Sequence, residues 1–155
     1  MKIINKFVAV TLIFIMIVLL TACGNKTPKT ADEFTSFMES KGFTVADSTL
    51  FAQTIITADT VLTALNDNYE IDFYVLSSDT GASSLFELNK SAFESDGSTV
   101  SETTNISSDN YNYYDNISDT GFRLTARVDN TVLYCYTDAE YKDEIIDIIT
   151  ELGYK

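Results

Sequence analysis

The sequence GFRLTARVDNTVLYCYT, residues 121–137, has the clearest strand pattern in the chain. Every second residue over 122–128 is apolar, and a second run rich in β-branched and aromatic residues follows the pair Asp-Asn at 129–130. Two such runs separated by two turn-forming residues predict a tight antiparallel hairpin. We therefore predict strands over about 121–128 and 131–137.

The residues before this hairpin extend the same pattern toward the N-terminus. Strand-like segments at about 99–106 and 111–117 predict an antiparallel meander when joined to the hairpin. Further upstream, the β-branched segment 55–65 is followed by Asn-Asp-Asn and by YEIDFYVL, residues 69–76, which predicts a second hairpin with one buried face. A short strand is also expected near 43–48.

Three segments have helical patterns. Thr30 and Glu33 have the spacing of a capping box before an apolar stripe that ends near Gly42. Helical spacing also follows Asp79 and Asp138, each of which we interpret as a helix cap. The predicted fold is therefore α+β, with a mainly antiparallel sheet (hairpin plus meander) packed on one face by about three helices.

The N-terminus has the features of an export signal. Lys2 and Lys6 precede an apolar run over 7–20 that is shorter than the roughly 20 residues of a permanent span. The run ends at Leu20-Thr21-Ala22-Cys23, which resembles the lipobox of bacterial lipoproteins. The resemblance implies cleavage before Cys23 and a diacylglyceryl group on its sulfur. Such a group would hold the protein firmly at a bilayer, because it supplies two acyl chains.

This organisation gives three parts: a signal peptide at 1–22, a lipidated cysteine and polar tether at 23–30, and a single globular α+β domain at 31–155. The whole layout resembles the small, uncharacterised lipobox lipoproteins of low-GC Gram-positive bacteria. That resemblance implies a place on the outer face of the cytoplasmic membrane, with the lipid on Cys23 as the membrane contact. It implies no reaction.

Charge and composition limit the possible functions. Without its first 22 residues the chain has 8 lysine and arginine residues against 23 acidic ones, a formal charge of −15, which argues against nucleic-acid binding. The sequence has no histidine, which removes catalysis by Ser-His or Cys-His pairs and histidine-bound metals. Cys135 is expected to be a buried, inert thiol. We expect no metal and no cofactor.

The motif DTGAS at 79–83 resembles the active-site motif of aspartic proteases, and SDTG recurs at 118–121. The family places apolar strand residues before its aspartate, whereas serines precede both copies here. A helix start at Asp79 and a hairpin turn at 119–121 explain the two copies better.

Residues 107–119, SSDNYNYYDNISD, contain the candidate contact residues. Their oxygen ligands suit Ca²⁺, and exposed tyrosines suit sugars or a protein partner, although a plain strand with solvated turns explains the same residues. The candidate ligand or partner contacts are Tyr111, Tyr113, Tyr114, Asp109, Asp115 and Asp119.

Three functions are compatible with this sequence. The leading hypothesis is a membrane-anchored, non-enzymatic binding or accessory domain for a protein or small molecule at the cell surface. The alternatives are a small carboxylate-dependent cell-envelope hydrolase and an interaction protein that docks a membrane partner by a sheet edge.

Overall fold

The computed structural model describes residues 25–155, so the predicted signal peptide and Cys23 lie outside the described residues. Within the described range no helix is both long and apolar enough to cross a bilayer. The strands are β1 (Thr44–Asp47), β2 (Thr60–Leu65), β3 (Glu70–Val75), β4 (Val100–Ser107), β5 (Tyr111–Ser118), β6 (Gly121–Val128) and β7 (Thr131–Thr137). The helices are α1 (Ala31–Ser40), α2 (Thr49–Ala52), α3 (Asp79–Ser95) and α4 (Lys142–Glu151), with a 3₁₀ turn at Ala139–Tyr141.

The strands form one antiparallel sheet in the order β1-β2-β3-β7-β6-β5-β4. Its halves are the meanders β1–β3 and β4–β7, which meet where Asp72 of β3 lies opposite Tyr134 of β7. The predicted hairpin is confirmed: β6 and β7 pair from Val128 and Thr131, and Asp129 in the turn has a φ of 48°. A positive φ is what a two-residue hairpin turn requires.

The predicted α+β class and antiparallel sheet are confirmed, but the helices cover both faces of the sheet rather than one. Helices α1 and α4 cover the face that contains Phe73 and Leu133, which we call the closed face. Helix α3 and the segment 48–58 lie on the opposite face, with Tyr74 and Tyr134, which we call the groove face. The reason is that β7 has large apolar residues at consecutive positions, so both of its faces need cover.

The closed face is a continuous aromatic and aliphatic core. Phe34 of α1 stacks on Phe73 with ring centroids 4.6 Å apart, and Tyr154 meets Phe73 edge-on at 6.4 Å. Cys135 has no exposed surface there and is a free thiol, as expected. This core fixes the position of β3 and β7, the two strands at which the halves of the sheet join.

The helix ends agree with the sequence at the first helix and differ at the others. The capping box at Thr30 and Glu33 is present. Ser78, not Asp79, caps α3 by accepting a hydrogen bond from the Gly81 amide at 3.1 Å. The Asp138 side chain makes no cap hydrogen bond, because a 3₁₀ turn separates it from α4.

The polar segment predicted to be a tether contacts the domain from Lys26 onward. The Lys26 ammonium donates to the carbonyl oxygens of Gly153 and Lys155, both at 3.0 Å, and lies 4.5 Å from the centroid of the Tyr111 ring. The Asn110 amide donates to the Lys26 carbonyl at 2.7 Å. The chain therefore leaves the domain at the end that contains Asn110 and the C-terminus.

Candidate functional site

The three tyrosines predicted to form an exposed contact surface are buried. Tyr111, Tyr113 and Tyr114 keep 5%, 0% and 3% of their surface exposed. Tyr111 and Tyr113 belong to the closed-face core, whereas Tyr114 packs under Phe93 of α3 on the groove face. The expected common surface does not exist, because the alternation that suggested one exposed face belongs to a strand covered on both sides.

The three aspartates predicted with them are not brought together. Asp115 is buried, accepts a hydrogen bond from the Tyr113 hydroxyl and lies 3.7 Å from the Lys155 ammonium. Asp109 and Asp119 are exposed in separate turns, and Asp119 accepts from the Thr99 amide at 2.9 Å. Across residues 25–155 no group of three carboxylate or cysteine side chains is placed to hold a metal ion.

A different region has the shape of a binding site. Two adjoining clefts of about 380 and 430 Å³ on the groove face share Ile55, Ile56 and Tyr74 in their walls. Together they form one open groove between α3 and the segment 48–58. Volumes of this size fall at the small end of those known for ligand sites.

The floor of the groove is a row of side chains that the sheet register places side by side. Thr63 of β2 lies opposite Asp72 of β3, and Asp72 lies opposite Tyr134 of β7. On β6, Thr125 lies opposite Tyr134 but is fully buried, and Arg123 lines the groove instead. The groove therefore crosses four strands separated by three spacings of about 4.8 Å, which gives it a length of roughly 14 Å. The antiparallel pairing of β3 with β7 creates this row, since the two strands are far apart in sequence.

Asp72 is the polar centre of the floor. Its two carboxylate oxygens accept hydrogen bonds from the hydroxyls of Thr63 at 2.7 Å and Tyr74 at 3.2 Å, and Ser48 lies 3.0 Å from the Thr63 hydroxyl. Burial and then the charge of Asp72 raise the pKa of Tyr74, so its hydroxyl stays protonated as a donor. In the described part of the chain, no lysine or arginine forms an ion pair with Asp72.

The other end of the groove is closed by Arg123. Its guanidinium pairs with Asp96, donates to the carbonyl oxygen of Phe93 at 3.2 Å and lies 5.2 Å from the centroid of the Tyr136 ring. Only 4% of its side chain is exposed. Because its own partner neutralises it, Arg123 adds shape rather than free charge to the groove.

The rim of the groove is apolar and exposed. Of the eight large apolar side chains exposed in residues 25–155, four line the groove, namely Phe51, Ile55, Leu88 and Tyr136. Phe51 and Ile55 are 75% and 76% exposed. A concentration of exposed apolar side chains around a concave surface is typical of interaction sites.

The sequence pattern does not predict this groove. The β-branched residues over 55–65 indicate one β-rich segment, whereas β2 begins at Thr60 and the preceding residues form the helical turn α2 and an irregular loop. The available signal was the apolar content of 50–56, which fits neither strand alternation nor a helix of useful length. The matching half of the site, on α3 and β7, lies far away in sequence.

Comparison of the chain with protein-family models, with curated proteins and with solved structures gives no match.

Proposed function

We propose that this protein is a lipoprotein held on the outer face of the bacterial cytoplasmic membrane through Cys23, and that its domain is a non-enzymatic binding or accessory module. The observation that carries the binding role is the groove. It combines an apolar rim, a hydrogen-bonding floor and an uncovered position on an otherwise packed sheet. Interaction surfaces of proteins are enriched in tyrosine and other aromatic side chains, and Phe51, Tyr74 and Tyr136 line the groove.

The docking of Lys26 supports a defined orientation at the membrane. Only Gly24 and Asn25 separate Cys23 from Lys26, so a lipid on Cys23 would hold the end of the domain containing Asn110 within about 10 Å of the anchor. Thr131 of β7 lies at that same end, near Val128 and the hairpin turn, and Tyr134 is three residues further along the strand. The floor of the groove would then stand roughly 10 Å above that end and open sideways.

Replacement of Cys23 tests the anchor. In cells labelled with an alkyne analogue of palmitate, the wild-type chain should carry the label and fractionate with membranes. Cys23→Ala should lose the label, while Cys135→Ala should keep it because Cys135 is buried in the core. Label retained on Cys23→Ala would contradict the lipoprotein assignment.

Site-specific photocrosslinking tests the groove. A photoreactive phenylalanine derivative placed at Leu88, which is 63% exposed on the rim, should form a discrete adduct on intact cells. The same derivative at Asp147, exposed on α4 over the closed face, is the matched control. Equal labelling at both positions, or none at Leu88, would contradict a binding role for the groove.

The sheet edge supports a second candidate function. Strand β4 has eight residues, pairs only with β5 and has largely exposed side chains. Its pairing with β5 is regular except at a bulge between Val100 and Glu102. Such an edge can accept a strand from a partner. Ile106→Lys would abolish partner binding if this edge is the contact, and would leave it unchanged if the groove is.

The hydrolase alternative also has an identifiable location. Glu70 and Asp72 are the two acids that line the first cleft. If the purified protein cleaved a cell-envelope polymer, and if both Glu70→Gln and Asp72→Asn stopped the cleavage, the non-enzymatic assignment would be wrong.

A further inference from the structure

The groove combines apolar walls with a carboxylate, Asp72, that forms no ion pair with a lysine or arginine among residues 25–155. Asp72 is half-buried beside Val61, Ile56 and Tyr74, and Glu70 stands at the rim of the same cleft. The domain supplies hydroxyl donors to Asp72 but no positive charge. A carboxylate in a partly apolar site binds a cation more strongly than one in open water, because screening by solvent is weaker there.

The dimensions of the groove indicate the size of its occupant. A length of roughly 14 Å corresponds to about four residues of extended chain at about 3.2–3.4 Å per residue. The groove is open along its length, and its rim residues Phe51 and Leu88 project outward rather than enclosing a cavity. An open apolar groove of this kind fits a segment of another protein better than a small molecule, whose sites usually enclose most of its surface.

Building on the binding role proposed above, we propose that the groove binds a short segment of a protein partner that presents apolar side chains and one lysine or arginine, with the cation paired to Asp72. The apolar side chains of the segment cover the exposed rim, and its cation lies on the floor between Asp72 and the edge near Glu70. The formal charge of −15 on the chain without its first 22 residues favours approach of a basic segment from solution.

The proposed occupant can be tested by selection from a displayed library of random eight-residue peptides, which assumes no particular sequence. The target is the full chain in nanodiscs of phosphatidylcholine, and empty nanodiscs are used first to remove peptides that bind lipid. We expect enrichment of peptides with apolar residues around one lysine or arginine. Their binding should weaken at least about tenfold with Asp72→Asn and with Leu88→Ser.

The matched control for charge is Asp147→Asn, which removes one exposed carboxylate from α4 on the other side of the sheet. It should leave binding within about twofold, because the distance from the groove allows salt to screen its charge. When the Asp72→Asn variant is the target of the selection, the enriched peptides should keep their apolar residues and lose the preference for lysine or arginine. Thermal unfolding of each variant identifies any loss of binding that comes from loss of fold.

The outcomes separate this inference from the proposed function. Peptides that depend on Leu88 but show no basic preference would overturn the cationic segment and leave the groove as a binding site. If selection yields no peptide whose binding depends on Leu88, the cationic segment is overturned. If crosslinking at Leu88 also fails, the groove is overturned as a binding site. A dimer in sedimentation that Leu88→Ser dissociates would assign the groove to a second copy of this chain and likewise overturn the proposal.

Discussion

The two faces of the central sheet are covered in different ways. On the closed face, α1 and α4 bury an unbroken core in which Phe73, Leu133 and Cys135 have no exposed surface. On the groove face, two smaller clusters lie under α3 and the segment 48–58, and half-buried Tyr74 and Tyr134 lie between them. The same two strands, β3 and β7, contribute to both faces.

On a single strand, the residues that stabilise the fold face one side of the sheet and those that line the groove face the other. On β3, Phe73 points into the sealed core while Asp72 and Tyr74, its neighbours in the chain, line the groove. Side chains that alternate across a strand can therefore serve unrelated roles one residue apart. A complete core on one face allows the other face to keep exposed apolar side chains that add little to the stability of the fold.

The largest contrast is expected between Phe73→Ala and Leu88→Ala. Phe73→Ala removes a ring that stacks on Phe34 at 4.6 Å and should cost about 3–5 kcal/mol of the free energy of unfolding. Leu88→Ala, at a side chain 63% exposed, should change that free energy by less than about 0.5 kcal/mol. Urea unfolding of both variants measures the contrast, and equal losses would show that the groove face is also a core.

A smaller loss is expected from the ion pair that closes the groove. Arg123→Met keeps a long side chain but removes the pair with Asp96 and the hydrogen bonds to Phe93, Ser98 and Thr120. Because Asp96 is exposed, the loss should come mainly from the buried carbonyl oxygen of Phe93, which loses its donor at a cost of about 1–3 kcal/mol. Lys142→Met breaks the exposed pair with Glu102 and should cost under about 1 kcal/mol. A cost for Arg123→Met no greater than that control would show that Arg123 adds no more to the stability of the fold than an exposed ion pair does.

The smallest effect concerns alkaline pH and the closed face. Burial raises the pKa of the Cys135 thiol from 9.0 to about 12. Above pH 9 the unfolded chain loses this proton while the folded chain keeps it, so the stability present below pH 9 is lost as the pH rises toward 12. One such proton lowers the free energy of unfolding by about 1.4 kcal/mol per pH unit.

The free energy of unfolding of Cys135→Ala should therefore fall less steeply with pH than that of the wild type. The difference should be about 1 kcal/mol between roughly pH 9.5 and 10.5. The measurement is urea unfolding at several pH values in that window, with the value near pH 8 as the reference for each protein. Tyr111 and Tyr154, whose pKa values burial raises to about 12, add the same decline to both proteins. Parallel curves would show that Cys135 is accessible to solvent.

Much of the fold could be predicted from local pattern. The strand alternation over 121–128, the turn at 129–130 and the capping box at Thr30 are set by residues within a few positions of one another. These features are decided by side-chain period and turn geometry, which a single sequence displays directly. The consecutive apolar residues of β7 indicate that both faces of this strand need cover, but they do not specify which helix covers which face, because that depends on contacts between distant segments.

The candidate site was mispredicted for a related reason. Tyr111, Tyr113 and Tyr114 look like an exposed aromatic patch when only neighbouring Asn and Asp residues are considered. Their burial depends on α3 and on the two terminal segments, which pack against β5 from distant parts of the chain. Burial is a property of the assembled layers, and composition in one segment does not specify it.

Short-range periodicity and simple counts are enough to specify the strands, most of the helices, the α+β class and the acidic charge of the domain. The pairing of β3 with β7 exists only in the folded chain, and so does the row formed by Thr63, Asp72 and Tyr134. Pairing between strands more than fifty residues apart depends on which packing buries the most apolar surface. The same packing placed α3 on the opposite face of the sheet from α1 and α4, and it left the groove open between α3 and the segment 48–58.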